Sequence, residues 1–230
     1  MVEATAAVII GASGGLGRAL ADRLEASGAH AVIHRLSRSG TGLDLLDETT
    51  IAAAAALVAA GPPPTRVIVA TGVLHHGFEP ERSYRSLDAG HLLRDYQVNA
   101  VGPALVAKHF LPLTPRDRPA VFAALGARVG SIGDNRLGGW HSYRASKAAL
   151  AMLLRTLSIE TGRTHPHLLV AGLHPGTVDT ALSAPFRRGV RPEALFDAVD
   201  AAGRLLGVLD RLGPSDSGGV FDWAGRRIPE

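Results

Sequence analysis

Short, nearly continuous apolar runs alternate along the chain with stretches whose apolar residues recur every three or four positions. The runs lie at 5–10, 30–36, 66–71, 119–125 and 167–173, with a shorter one at 219–223. Each is too short for a helix and apolar on both faces, as strands of a covered parallel sheet are. The amphipathic stretches predict helices over 15–27, 48–60, 88–112, 142–161 and 192–211. Asp47 and Glu48 suit the start of the second helix, and Gly61-Pro-Pro-Pro64 ends it. The alternation predicts an α/β fold, a doubly wound parallel sheet, with residues 1–230 as a single domain. No internal repeat interrupts it.

Composition narrows the class. The chain has 230 residues, 46% of them hydrophobic, enough for one sizeable core. The net charge is only +3 and the arginines are scattered, which argues against nucleic acid or a membrane surface as partner. There is no cysteine, so thiolate chemistry is excluded and a cytoplasmic location is compatible. The first ten residues lack a basic segment and run into a glycine turn, reading as a buried strand rather than a signal peptide. No apolar stretch is long enough to suggest a membrane span.

The glycine turn brings in chemistry. Gly11-Ala-Ser-Gly-Gly-Leu-Gly17 stands between the first strand and the first helix. A dinucleotide's pyrophosphate needs such a place, where backbone comes close and free N–H groups of a helix start face the anion. Gly11, Gly15, Leu16 and Gly17 are therefore candidate cofactor contacts, with Ser13 as a hydroxyl donor. The spacing is Gly-x-x-x-Gly-x-Gly, not the Gly-x-Gly-x-x-Gly of many dinucleotide sites. The sheet is accordingly expected to be of Rossmann type. Asp44 with Leu45, and Ala70, Thr71 and Gly72, follow the second and third strands, at the edge where open α/β sheets bind ligands.

The second strand ends in His34-Arg-Leu-Ser-Arg-Ser39, without the carboxylate that a free ribose 2′-hydroxyl calls for. Arg38, helped by Ser37 and Ser39, suits a 2′-phosphate instead. NADP(H) is expected in preference to NAD(H), and Arg35 is the weaker candidate because strand alternation turns it elsewhere.

Tyr143 and Lys147 lie four apart and share a helix face. A free tyrosine has a pKa of about 10, and bringing it to neutrality takes about 4 kcal/mol of preferential phenolate stabilisation. A neighbouring ammonium and an oxidised nicotinamide ring supply that kind of stabilisation. The pair points to hydride transfer between a nicotinamide cofactor and a small carbonyl or its alcohol.

With these motifs the chain resembles the short-chain dehydrogenase/reductase family over nearly all its length. The Gly11–Gly17 turn matches that family's cofactor turn, and Asp44 its adenine-contacting acid. Asn99 in Tyr-Gln-Val-Asn-Ala matches its helix asparagine, and Tyr143 with Lys147 its active-site pair. His174-Pro-Gly-Thr-Val-Asp-Thr180 matches the segment gripping the nicotinamide end, which implies Pro175, Gly176, Val178 and Thr180 as contacts. The resemblance implies that Tyr143 protonates the carbonyl oxygen and that Lys147 orients the ribose and lowers the tyrosine pKa. It implies a relay water at Asn99, transfer of the 4-pro-S hydride, and a homodimer or homotetramer. The string 126–140 and the ending Gly219-Val-Phe-Asp-Trp-Ala-Gly225 are similar to the C-signal and sniffer-type carbonyl reductase subgroup.

The pattern departs from the family at one catalytic position. The family's serine at the end of the strand before the tyrosine is missing from Val121-Phe-Ala-Ala-Leu-Gly126-Ala127, being replaced at Gly126 or Ala127. Ser131 is the nearest substitute and is carried forward as a catalytic candidate. The asparagine usual after the third strand is also absent, with Ala70 and Thr71 in its place. His75, His76, His141 and His174 fall near the expected mouth as polar lining, and no metal is expected. The segment 182–191, with Phe186, Arg187, Arg188 and Arg191, is expected to cover the substrate.

Two other classes compete with a reductase. A cofactor-binding signalling protein with weak catalysis fits the missing serine, although Tyr143, Lys147 and Asn99 are all present. A nucleotide-sugar epimerase shares both motifs but normally needs a longer chain.

Overall fold

The computed structural model describes residues 3–75, 77–184 and 195–230. Its main sheet has six parallel strands: β1 (Ala6–Ile10), β2 (Val32–Leu36), β3 (Pro64–Val69), β4 (Ala120–Leu125), β5 (Leu168–His174) and, after two short strands, β8 (Val220–Asp222). Their order is β2-β1-β3-β4-β5-β8, so successive connections reverse direction at β1. The crevice between the ends of β1 and β3 is the switch point where open α/β sheets hold ligands.

Helices cover both faces. On one lie α1 (Gly15–Ser27) and α7 (Ala198–Leu209). On the other lie α3 (Glu48–Ala59), α4 (Ala89–Tyr96) continued through a π turn (Gln97–Val101) into α5 (Gly102–Phe110), and α6 (His141–Thr161). Strand alternation divides the core accordingly. Val8 and Ile10 face the second set of helices, while Ala7 and Ile9 face the first, all fully buried. The fold is the expected Rossmann-type doubly wound sheet.

Boundaries moved where local chemistry overrode periodicity. β3 starts at Pro64, before the expected residue 66, because proline is tolerated as the first residue of a strand. A short helix, α2 (Arg38–Thr41), follows β2, with the Ser37 hydroxyl accepting from the Gly40 amide. The last helix does not fill 192–211. Leu195–Phe196 form a strand, β7, paired with β6 (Thr177–Val178), and α7 begins only after Asp197 caps it through the Asp200 amide. Among the described residues no helix is long and apolar enough to cross a membrane.

Candidate active site

A cavity of about 790 Å³ crosses the carboxyl ends of the strands. It begins at the glycine turn. Gly11 takes φ +90°, and a Cβ there would press on the Ala70 carbonyl at 2.9 Å; one at Gly17 would overlap the Gly11 carbonyl oxygen. Glycine at both positions lets β1, the third-strand loop and the start of α1 close on one another. Arg18 N–H donates to the Gly14 carbonyl, the first bond of α1, so the preceding amides of Gly15, Leu16 and Gly17 have no partner within the helix. All three residues line the cavity, as does Ser13.

At the β2 end, Ser37, Arg38 and Ser39 line the wall. Arg38 is exposed, whereas Arg35 is held by Asp22 and Glu25 at 2.6 Å each. Asp44 and Leu45 lie beside them, with the Asp44 carboxylate accepting from the Leu46 amide at 3.0 Å. Ala70, Thr71 and Gly72 line the switch point, and the buried Thr71 hydroxyl has no hydrogen-bond partner. From β5 onward come His174, Pro175, Gly176, Val178 and Thr180.

Tyr143 and Lys147 project from the first turns of α6 into the same space. The Lys147 ammonium stands 5.7 Å from the Tyr143 ring centroid and donates to the Leu125 carbonyl at 2.7 Å. Burial pulls the lysine down to about 8, opposed by the Asp95 carboxyl. The tyrosine goes the other way. Burial raises its hydroxyl well above the ordinary phenol range, and Asp95 adds to the rise. The sequence led us to expect the opposite direction, with Lys147 and an oxidised nicotinamide ring together beside the phenol; burial among the protein's own side chains raises it instead.

Asn99 lies behind the cavity, fully buried in the π turn. Its side-chain oxygen accepts from the Val73 amide and its nitrogen donates to the Val73 carbonyl, both at 2.9 Å. The same nitrogen donates to the Ser146 hydroxyl at 3.0 Å. Asn99 therefore fixes the third-strand loop against α6. π turns of this kind recur at functional sites.

Ser131 is a correction. It does not line the cavity; its hydroxyl accepts from the Asp134 amide and closes a turn. Gly126 and Ala127 do line the cavity, so no hydroxyl stands at the strand end. A Cβ on Gly126 would make ordinary contact with Val220 at 3.4 Å and the Leu173 backbone at 3.9 Å; Gly126 is buried, and Ala127 is the more exposed of the two.

His75 and His174 sit where the sequence put them. His75 contacts the Leu182 carbonyl at 3.1 Å across the mouth, and burial draws His174 down to about 4. Among the described residues no group of three His, Asp or Glu side chains is placed to hold a metal ion. His76, Phe186, Arg187, Arg188 and Arg191 lie outside the described residues. Sequence reasoning missed Arg94 and Trp140, both lining the cavity. Trp140 packs edge-on to Tyr143 at 6.3 Å with φ +52°, a strained backbone that no local signal announced.

The family model described as short chain dehydrogenase matches residues 41–191. The chain belongs to the short-chain dehydrogenase family. The matched stretch carries Asn99, Tyr143 and Lys147, while the glycine turn precedes it. C-signal of Myxococcus xanthus is 34% identical over 143 residues, 62% of this chain and 81% of that one. The 1-hydroxy-2-glutathionyl-2-methyl-3-butene dehydrogenase of Rhodococcus sp. is 34% identical over 58% of this chain, which spans only 56% of that relative. Among solved structures, NADPH-bound carbonyl reductase from chicken fatty liver superposes with a TM-score of 0.83 at 22% identity, covering 100% of both chains. Carbonyl reductase Sniffer of D. melanogaster gives 0.81 at 21%, covering 99% of this chain and 100% of that one. This short-chain dehydrogenase is thus an oxidoreductase of the family, with the similarity to C-signal that its longer motifs suggested and the fold of the Sniffer structure.

Proposed function

We propose that the protein is an NADP(H)-dependent reductase that interconverts a small ketone or aldehyde with its alcohol. One observation carries the reading: Tyr143 and Lys147, on one face of α6, open into the same cavity whose far end is the Gly11–Gly17 cradle.

The residues present fit a dinucleotide. The free amides of the α1 start face a pyrophosphate, and the orphaned Thr71 hydroxyl offers a buried polar partner. Arg38 with Ser37 and Ser39 would hold a 2′-phosphate, and Asp44 with Leu45 the adenine end. Pro175, Gly176, Val178 and Thr180 would hold the nicotinamide end. The NADPH found in the chicken carbonyl reductase supports the same choice. When bound, the reduced nicotinamide supplies the hydride. Tyr143 donates its proton to the carbonyl oxygen, Lys147 orients the ribose, and Asn99 holds the loop beside them and a relay water. Trp140, Val129 and Leu74 give the substrate end an apolar wall. We place the enzyme in the cytoplasm and, with exposed Leu93 and Met152 on the outer faces of α4 and α6, as a homodimer or homotetramer, which light scattering reads directly.

The test is a titration with NADPH and NADH, then NADPH oxidation against ketones, aldehydes and quinones. Tighter NADPH binding with turnover is expected. Tyr143→Phe should cut kcat by about 10²–10⁴ while leaving NADPH affinity unchanged. Persistent turnover in that variant would remove Tyr143 as the acid. A second reading, a cofactor-binding signalling protein, draws on the absence of a hydroxyl at Gly126 and Ala127 and on the likeness to C-signal. Tight NADPH binding without turnover on any carbonyl would favour it.

A further inference from the structure

Tyr143 stands in the first turn of α6, and the chain enters that turn through a strained backbone. Gly138, Gly139 and Trp140 are left-handed in succession, at φ +63°, +66° and +52°. Glycine takes this conformation freely, whereas a residue with a Cβ is strained by it. Trp140 is the N-cap of α6, yet its side chain makes no capping hydrogen bond. Its indole lies on the cavity wall instead, edge-on to the Tyr143 ring at 6.3 Å. A backbone of this kind persists only where its surroundings over-determine it.

Glu81 supplies those surroundings from a distant segment, and it is only 3% exposed. Its backbone carbonyl accepts from the Trp140 amide. Its carboxylate accepts from the Ser142 amide, at 3.3 Å to each oxygen, and from the Ser142 hydroxyl. One residue therefore brackets Trp140 on both sides. The carboxylate also takes the capping place that an indole cannot fill, where negative charge suits the helix dipole. Behind Glu81, His91 of α4 places Nδ1 3.3 Å from Oε1, and Phe78 stacks on that imidazole at 4.7 Å. Arg144 holds the same turn from its other side, donating to the Gly139 carbonyl at 2.9 Å and the Val129 carbonyl at 3.0 Å. The approach is close: a Cβ on Gly139 would lie 3.3 Å from the Glu81 carbonyl oxygen.

We propose that Glu81 is a positioning residue that fixes the turn into α6 and so holds the Trp140 indole against Tyr143. Its bearing on catalysis rests on the reductase reading. A proton donor works only within hydrogen-bond reach of the oxygen it serves, and Trp140 is the wall beside that donor. Without the carboxylate, the Ser142 amide and hydroxyl lose their acceptor and the left-handed turn relaxes. The wall and the first turn of α6 then shift together, while the Gly11–Gly17 cradle at the far end of the cavity stays as it is. Carbonyl turnover is expected to suffer and cofactor binding is not.

The experiment uses a Trp223→Phe background, in which Trp140 is the sole tryptophan. Glu81→Ala in that background should shift Trp140 emission to the red and raise its quenching by acrylamide, with far-UV circular dichroism unchanged. Unchanged emission and quenching overturn the proposal. Glu81→Gln keeps an acceptor oxygen for Ser142 and should restore the emission, whereas Glu81→Leu, of similar size without an acceptor, should not. Equal behaviour of these two variants would mean that Glu81 merely fills space, which also overturns it. If Glu81→Ala does not fold, Ser142→Ala removes only the hydroxyl donor and must move the emission the same way; no movement there is equally fatal. In turnover, Glu81→Ala should lower kcat/KM for the carbonyl by up to about 10²-fold, the scale of a misplaced reacting group, at unchanged NADPH affinity. A parallel loss of NADPH affinity would mean general damage and refute the positioning role. Should no carbonyl turn over in the Trp223→Phe protein itself, the reductase reading falls, and the Trp140 emission still decides the role of Glu81.

Discussion

The strand-end position before α6 shows how one residue sets a rate. Gly126 and Ala127 both border the cavity, but they do not present their side chains alike. Gly126 is buried and a Cβ there would already touch Val220 at 3.4 Å, whereas Ala127 is only partly buried in the cavity wall. A preorganised donor at a developing oxyanion is worth about 10²–10³ in rate. Ala127→Ser should therefore raise kcat for carbonyl reduction by about 10²-fold, and Gly126→Ser should not. Steady-state kinetics of the two variants side by side check this, and equal behaviour would return the vacancy to an undecided position. Most site residues were legible at this scale. Gly11, Gly17, Tyr143 and Lys147 declare themselves because glycine geometry and an i, i+4 spacing are local properties. Ser131 misled because a hydroxyl's partner is not local: the Asp134 amide took it. Arg94 and Trp140 gave no signal, since cavity lining depends on how helices are docked.

At the level of elements, the π turn between α4 and α5 matters most. Its extra residue is invisible to a 3.6-residue period, so the sequence predicted one helix over 88–112 where the chain makes three segments. The insertion carries Asn99, whose amide satisfies both backbone groups of Val73. Asn99→Ala removes the partner of that N–H and C=O in a partly buried loop, and buried unsatisfied groups cost about 1–3 kcal/mol each. A loss of about 2–4 kcal/mol is expected in urea unfolding, together with a fall in kcat. Loss of turnover at unchanged stability would assign Asn99 a purely chemical part. The β6–β7 pair was missed for a related reason. Two-residue strands have no period to read, and Leu195 and Phe196 find theirs only by meeting Thr177 and Val178.

Across the whole molecule, burial of the active-site pair couples stability to pH. Lys147 titrates at about 8 when folded and at about 10.4 when unfolded, so between those values the unfolded chain binds more protons. Stability must rise with pH through that window, by at most about 3 kcal/mol. Above it Tyr143, raised by burial, binds its proton more tightly in the folded state, and stability falls again. Urea unfolding from pH 7 to 10 should show the rise, and Lys147→Met should flatten it; a parallel slope in the variant would refute the assignment. Nearer pH 5 two groups offset each other. Burial lifts Asp95 to about 6, which weakens the fold as pH rises, and lowers His174 to about 4, which strengthens it. By itself the sequence determined the alternation of strands and helices, the glycine turn and the Tyr143–Lys147 spacing. Each of these rests on spacing within a turn or an element. Only the tertiary structure decided that Ser131 turns to the Asp134 amide and that burial raises the Tyr143 hydroxyl. Those outcomes depend on which distant segments meet and how much water they exclude, and desolvation is a property of the assembled interior.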